Sequence, residues 1–170
     1  MNTNNQFPGK SSVEQIAHNA TSWIGQRRYD NKNLATGQTF LAPLEADLES
    51  IEVFSSIVTK PGKVIMTVHA FDSQQKKWGA SMGSATVEFN HSSTGKWIPF
   101  AMTGLHLIKG MTYGFKLESS ETYIGVGEAA GSAKQPPFNS GQEWIFVNNN
   151  QNPDAYSYFS LAFKVGLKAA

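Results

Sequence analysis

Gly95-Lys96-Trp97-Ile98-Pro99-Phe100, a polar break at Thr103-Gly104, Leu105-His106-Leu107-Ile108, a Lys109-Gly110 turn, then Met111-Thr112-Tyr113-Gly114-Phe115-Lys116-Leu117: this stretch decides the fold. Three short β-prone runs are divided by glycine turns. In the last, Met111, Tyr113, Phe115 and Leu117 alternate with Thr112, Gly114 and Lys116, the period of an antiparallel strand with one buried face. Trp97, Phe100, Tyr113 and Phe115 are accordingly assigned to holding two sheets together.

The same cadence extends to either side. Strands are expected over residues 38–42, 48–58, 63–72, 84–90, 96–101, 105–108, 111–118, 122–126, 143–147 and 156–166, with Pro61-Gly62 as a tight turn. Residues 63–72 carry apolar side chains on both faces, so that strand is placed centrally in its sheet. In the last strand Phe159, Leu161, Phe163 and Val165 form the inward set. Many short strands without a long helix predict an all-β fold, an antiparallel two-sheet jelly-roll-like sandwich. Residues 127–142 and the run Asn148-Asn149-Asn150-Gln151-Asn152-Pro153-Asp154 are expected as surface loops, the usual seat of function on a rigid sandwich.

The domain proper is expected over residues 37–170, with residues 1–36 as a polar N-terminal arm. Its one helical hint is the capping-box pair Ser11 and Glu14. Such a segment either packs on its own sandwich or is held by a neighbouring subunit.

At 170 residues one domain has an adequate core. Only 16% of residues are charged and the formal net charge is +1, without a Lys/Arg block, so neither a nucleic-acid partner nor a membrane-surface role is expected. The chain has no cysteine, which removes disulfides, thiolate chemistry and cysteine zinc sites. No apolar run reaches the length of a membrane span or a signal-peptide core, so membrane insertion is not expected and no export signal is read in the chain.

Several motifs tempt and fail. Gly79-Ala80-Ser81-Met82-Gly83 matches a nucleophile elbow, but residues 84–89 read as a strand and no histidine comes after Asp154. Gly125-Val126-Gly127-Glu128-Ala129-Ala130 resembles a dinucleotide fingerprint without the βαβ unit it requires. His18, His69, His91 and His106 have no metal-ligand spacing, and Glu88, Glu118, Glu121, Glu128 and Glu143 are scattered, so no catalytic or metal-ligating set is expected. A structural calcium ion needs only oxygens at no fixed spacing, and Asp47, Glu49 and Asp154 stay available for one. No other cofactor is expected.

The candidate ligand-binding residues are Trp78, Asn149, Asp154, Tyr156 and Tyr158. Trp78 follows the polar run 72–77 and is read as a loop aromatic, able to stack on the apolar face of a sugar or to cap the core from outside. Trp97 and Trp144 open strands and are read as core or sandwich-edge residues. Tyr156 and Tyr158 lie on the non-core face of the last strand beside the Asn-rich loop, an arrangement that suits a sugar or a protein interface.

With the strands placed, Gln38-Thr39-Phe40, Leu48-Glu49-Ser50-Ile51-Glu52-Val53, Gly95-Lys96-Trp97-Ile98-Pro99-Phe100 and Leu107-Ile108-Lys109-Gly110-Met111-Thr112-Tyr113 together resemble the jelly-roll ligand-binding modules of bacterial extracellular proteins. These are similar in outline to carbohydrate-binding modules and galactose-binding-like domains. The resemblance implies a non-enzymatic module that binds glycan through loops or a concave face, often with a structural calcium, on the outside of a cell or virion. The competing expectation is a self-assembling structural subunit of a filament, virion or surface layer, a homo-oligomer formed through the N-terminal arm.

Overall fold

The computed structural model describes residues 12–150 and 152–169. Among the described residues thirteen strands, every pair antiparallel, join into one continuous sheet that curls over on itself, so the all-β sandwich is borne out with its two faces connected rather than separate. In chain order they are β1 (Ser12–Gln15), β2 (Ala20–Arg27), β3 (Lys32–Leu41), β4 (Ala46–Lys60), β5 (Gly62–Asp72), β6 (Lys77–Phe89), β7 (Lys96–Leu107), β8 (Thr112–Glu118), β9 (Tyr123–Ala130), β10 (Glu143–Val147), β11 (Asp154–Tyr156), β12 (Phe159–Leu161) and β13 (Phe163–Ala169). The main path runs β1-β13-β4-β9-β2-β3-β8-β5-β6, with β7 on β4, β12 on β9, and β10 between β3 and β11. β4 makes the connection: its first part pairs with both β7 and β13, its second with β9.

Alternation places the core. Tyr113, Phe115 and Leu117 of β8, Val64, Met66 and Val68 of β5, and Ile51 and Val53 of β4 all point inward, where they meet Phe40, Phe89, Phe100 and Phe163. Burying side chains of this size contributes roughly 1.5–3 kcal/mol each. Residues 131–142 close one end: Phe138 meets Phe163 edge-on at 5.2 Å, and Thr39 donates its N–H to the Gln142 carbonyl.

Within the deciding stretch, Thr103-Gly104 is a bulge and not a turn. β7 runs unbroken through it because Met102, Thr103 and Gly104 stand opposite Glu49 alone, the register resuming at Leu105 and Leu48. Gly104 takes φ +78°, a value that favours glycine. Lys109-Gly110 is the expected turn, closed by Met111 N–H to Ile108 O. Met111 belongs to that turn and is exposed, so it leaves the inward set. Trp97 is also corrected: Phe100 is inward, and the odd spacing puts Trp97 on the outer face, against Phe54 and beneath Lys164. Phe159 likewise leaves the core, because the last strand is interrupted at Ala162, whose N–H bonds the Gly127 carbonyl.

Residues 12–36 differ most from expectation. They form β1, β2 and half of β3, with Trp23 paired to Gly125 and Val13 to Val165. The segment is part of the chain's own sheet. Its polar composition misled because Ile24 is the one large side chain that β2 sends into the main core, while Ser22 and Thr36 are buried by bonding each other at 3.0 Å. Glu14 lies in a strand instead of a helical first turn. Ser11 and the remainder of the expected arm lie outside the described residues.

Candidate functional site

The outer face of β10, β3, β8, β5 and β6 carries a second apolar cluster. Trp144 and Phe146 stand on β10, Phe71 on β5, and Trp78 on β6, which makes Trp78 a strand residue and not a loop one. Trp78 is the hub: Phe71, Trp144 and Phe146 all meet its ring nearly edge-on, at centroid distances of 5.7, 6.0 and 5.5 Å. Such edge-to-face pairs each add roughly 0.5–1.5 kcal/mol beyond area burial.

Two glycines make room for this indole. A Cβ on Gly114 would come within 2.5 Å of Trp78 Cζ3, and one on Gly37 within 3.0 Å of Cη2. The indole therefore reaches across β5 to bare backbone on β8 and β3, an aromatic ring set over glycine. The indole thus packs onto the sheet from outside and, at one edge of the cluster, also lines a cleft. His69 adds its edge at 5.5 Å; its ring bonds Thr67 Oγ1 and the Gly79 carbonyl, and burial lowers its proton affinity. Ser81, of the Gly-x-Ser-x-Gly match, bonds the Gly83 carbonyl within β6 and not His69.

One edge of the cluster remains open as a cleft of about 690 Å³ between the β5–β6 turn and the Asn-rich loop. Its floor is Trp78, Trp144 and Phe146, and its walls carry Gln75, Lys77, Asn150 and Asn152. Asp72 shapes the turn by accepting from the backbone N–H groups of Gln74 and Gln75. Asn150 shapes the loop, accepting from Val147 N–H and donating to the Asn152 carbonyl. Apolar rings at the base and amides along the rim can hold a polyhydroxylated ring by its apolar face while bonding its hydroxyls.

The five candidate residues are not gathered into one site. Only Trp78 lines the cleft. Asn149 lies beside it, accepting from Lys116 Nζ at 2.8 Å, while that ammonium stands 4.5 Å from the centre of the Phe146 ring. Asp154 and Tyr156 flank Ala155, the residue of β11 that does line the cleft, so alternation turns their side chains to the opposite face. Tyr156 and Tyr158 instead pack with Phe159 at 5.7 and 4.7 Å, a separate aromatic group. The residues missed were Trp144, Phe146, Gln75, Asn150 and Asn152; the alternation of Trp144 and Phe146 with Glu143 and Ile145 was the available signal.

Behind the cleft, the inward face of β10 carries Glu143, fully buried, its two carboxyl oxygens without a well-aligned partner. Burial, then the neighbouring Glu128 carboxyl, holds its proton affinity far above the usual carboxylate range, against a smaller opposing effect of Ser22. Two glutamates from consecutive strands, β9 and β10, thus meet inside the fold. Among the described residues no group of three or more His, Cys, Asp and Glu side chains is gathered for a metal. Asp47, one candidate for calcium, is instead paired with His106, which also bonds Glu45.

No protein-family profile and no curated protein matches the chain. Among solved structures it is similar to the cysteine protease and lectin-like domains of Cwp84, a surface layer associated protein of Clostridium difficile, with TM-score 0.52 and 13% identity. The match covers 82% of this chain and 33% of that one, so the chain spans about a third of the length of its neighbour. At this identity the likeness is one of fold.

Proposed function

We propose that the chain is a non-enzymatic binding module for carbohydrate, with the cleft over Trp78, Trp144 and Phe146 as its site. The observation that carries this reading is the union of an aromatic floor with the amides of Gln75, Asn150 and Asn152 along the rim. A sugar ring needs that combination: apolar contact for its C–H face and donors and acceptors for its hydroxyls. Its likeness in fold to the structure of the cysteine protease and lectin-like domains of a surface layer associated protein agrees with such a role. The competing reading, a subunit docked onto its neighbours through residues 1–36, has less support, because residues 12–36 pair with strands of their own sheet, β1 at its edge and β2 and β3 within it.

The test is a glycan array followed by titration of the best ligand against Gln75→Ala and Asn152→Ala, both exposed positions that leave the aromatic packing intact. Loss of about tenfold or more in affinity is expected, the effect of one or two hydrogen bonds. An array without a hit, or a ligand indifferent to both substitutions, overturns the site.

A further inference from the structure

A second pocket, of about 500 Å³, opens where the β2–β3 turn meets the β4–β5 turn and the residues leading into β9. Its apolar surface comes from the rings of Tyr29 and Tyr123 and from Pro61. The Tyr123 ring is fixed, stacked on Trp23 at 4.8 Å and 15°. Tyr29 is 81% exposed and is the one movable ring at the mouth, with the Arg27 guanidinium 4.7 Å from its centre.

Charge at this pocket is unbalanced. Arg27 is committed to Asp30, bonded through both Nε and Nη2 to the two carboxylate oxygens. Glu121 also lines the pocket; its carboxylate accepts from the backbone N–H of Lys63 and keeps its negative charge, so the lining has three cations, Arg27, Arg28 and Lys60, against one anion. Arg28 and Lys60 also line the pocket, and neither has an ion-pair partner among the described residues. Two cations without an ion pair beside two tyrosine rings and a proline suit a ligand that joins a ring with an apolar face to a negative charge held away from Glu121. Arg28 is suited to a carboxylate in particular, since its planar fork matches both oxygens.

We propose that this pocket binds an acidic saccharide, a uronic-acid residue whose carboxylate is taken by Arg28 and Lys60 and whose ring lies against Tyr29 and Tyr123. It shares no lining residue with the Trp78 cleft, so the two sites stand or fall separately. Neither cation is needed by the fold: both side chains are exposed.

Calorimetric titration of the whole chain with a trimer of galacturonic acid, and with the neutral trimer of galactose, tests the proposal. The acidic trimer is expected to bind, with an affinity that falls as salt is raised. It should exceed the neutral trimer by about tenfold or more, and the Arg28→Ala/Lys60→Ala variant should lose that preference. Asn152→Ala should bind it like the unaltered chain. Absence of binding, equal binding of the neutral trimer, or an Arg28→Ala/Lys60→Ala variant with undiminished affinity overturns it. So does inorganic sulfate binding as tightly as the acidic trimer, which would make this an anion site with no use for the rings.

Discussion

Trp78 and Gly114 are a matched pair: the indole occupies the place a side chain at position 114 would take, with Cζ3 only 2.5 Å from where a Cβ would stand. The aromatic floor of the cleft exists because one strand withholds a side chain and another supplies a large one. Gly114→Ala is therefore expected to destabilise by roughly 1–3 kcal/mol, the cost of overpacking. In the Trp78→Ala background the same change should be much cheaper, a coupling of about 1 kcal/mol or more in a double-mutant cycle read by urea unfolding. Additive effects would mean the contact is not what selects glycine there.

Glu143 gives the fold a dependence on pH. In the unfolded chain its carboxyl ionises in the ordinary range, near ~4.3; in the fold, burial and Glu128 hold the proton on well above that. This contribution is fully present in acid and is lost progressively as pH rises from the unfolded value toward the folded one. Urea midpoints measured from mildly acidic to alkaline pH should fall, and Glu143→Gln should flatten the fall. An equally steep decline in Glu143→Gln assigns it to other groups.

Two histidines are expected to titrate on opposite sides of the usual value. His106, bonded to Asp47 and Glu45 at 2.8 Å each, is raised by those bonds, whereas His69 is lowered by burial. NMR titration of the ring protons should resolve them. Asp47→Asn should bring His106 back toward the ordinary value and leave His69 in place. The His106 effect is at the surface and should shrink with added salt.

Gly25 takes φ +109°, and a Cβ there would run into the carbonyl of Thr122. It sits where β2 passes from its pairing with β9 to its pairing with β3. Gly25→Ala should cost on the order of 1–3 kcal/mol or more from backbone strain alone, visible as a lowered Tm. An unchanged Tm would show that this crossing can relax.

How much of this could be read from the chain depends on which physical signal each element carries. β8 alternates large apolar residues with polar ones, so its class, position and inward face were legible; β5, apolar on both faces, was legible as a strand inside its sheet. β2 was not, because its inward face carries Ser22, whose burial depends on a hydroxyl partner on the next strand, Thr36. The bulge at Gly104 reads as a turn because glycine marks both, and only the register against β4 tells them apart. The cleft was half legible: Trp78 stands out in the sequence, but as a loop residue. The alternation of Trp144 and Phe146 marks one buried face of β10 but does not say which, because a face buried under a second cluster alternates like one in the main core.

β4 has a further consequence. Its first residues hold β7 and β13 and its last hold β9, with Ser55 opposite Val126. A strand shared in this way forbids the two halves of the molecule from coming apart one at a time. Unfolding should be a single event, and folding must wait for a contact across about seventy residues of chain, which puts this protein among slow, topologically demanding folders.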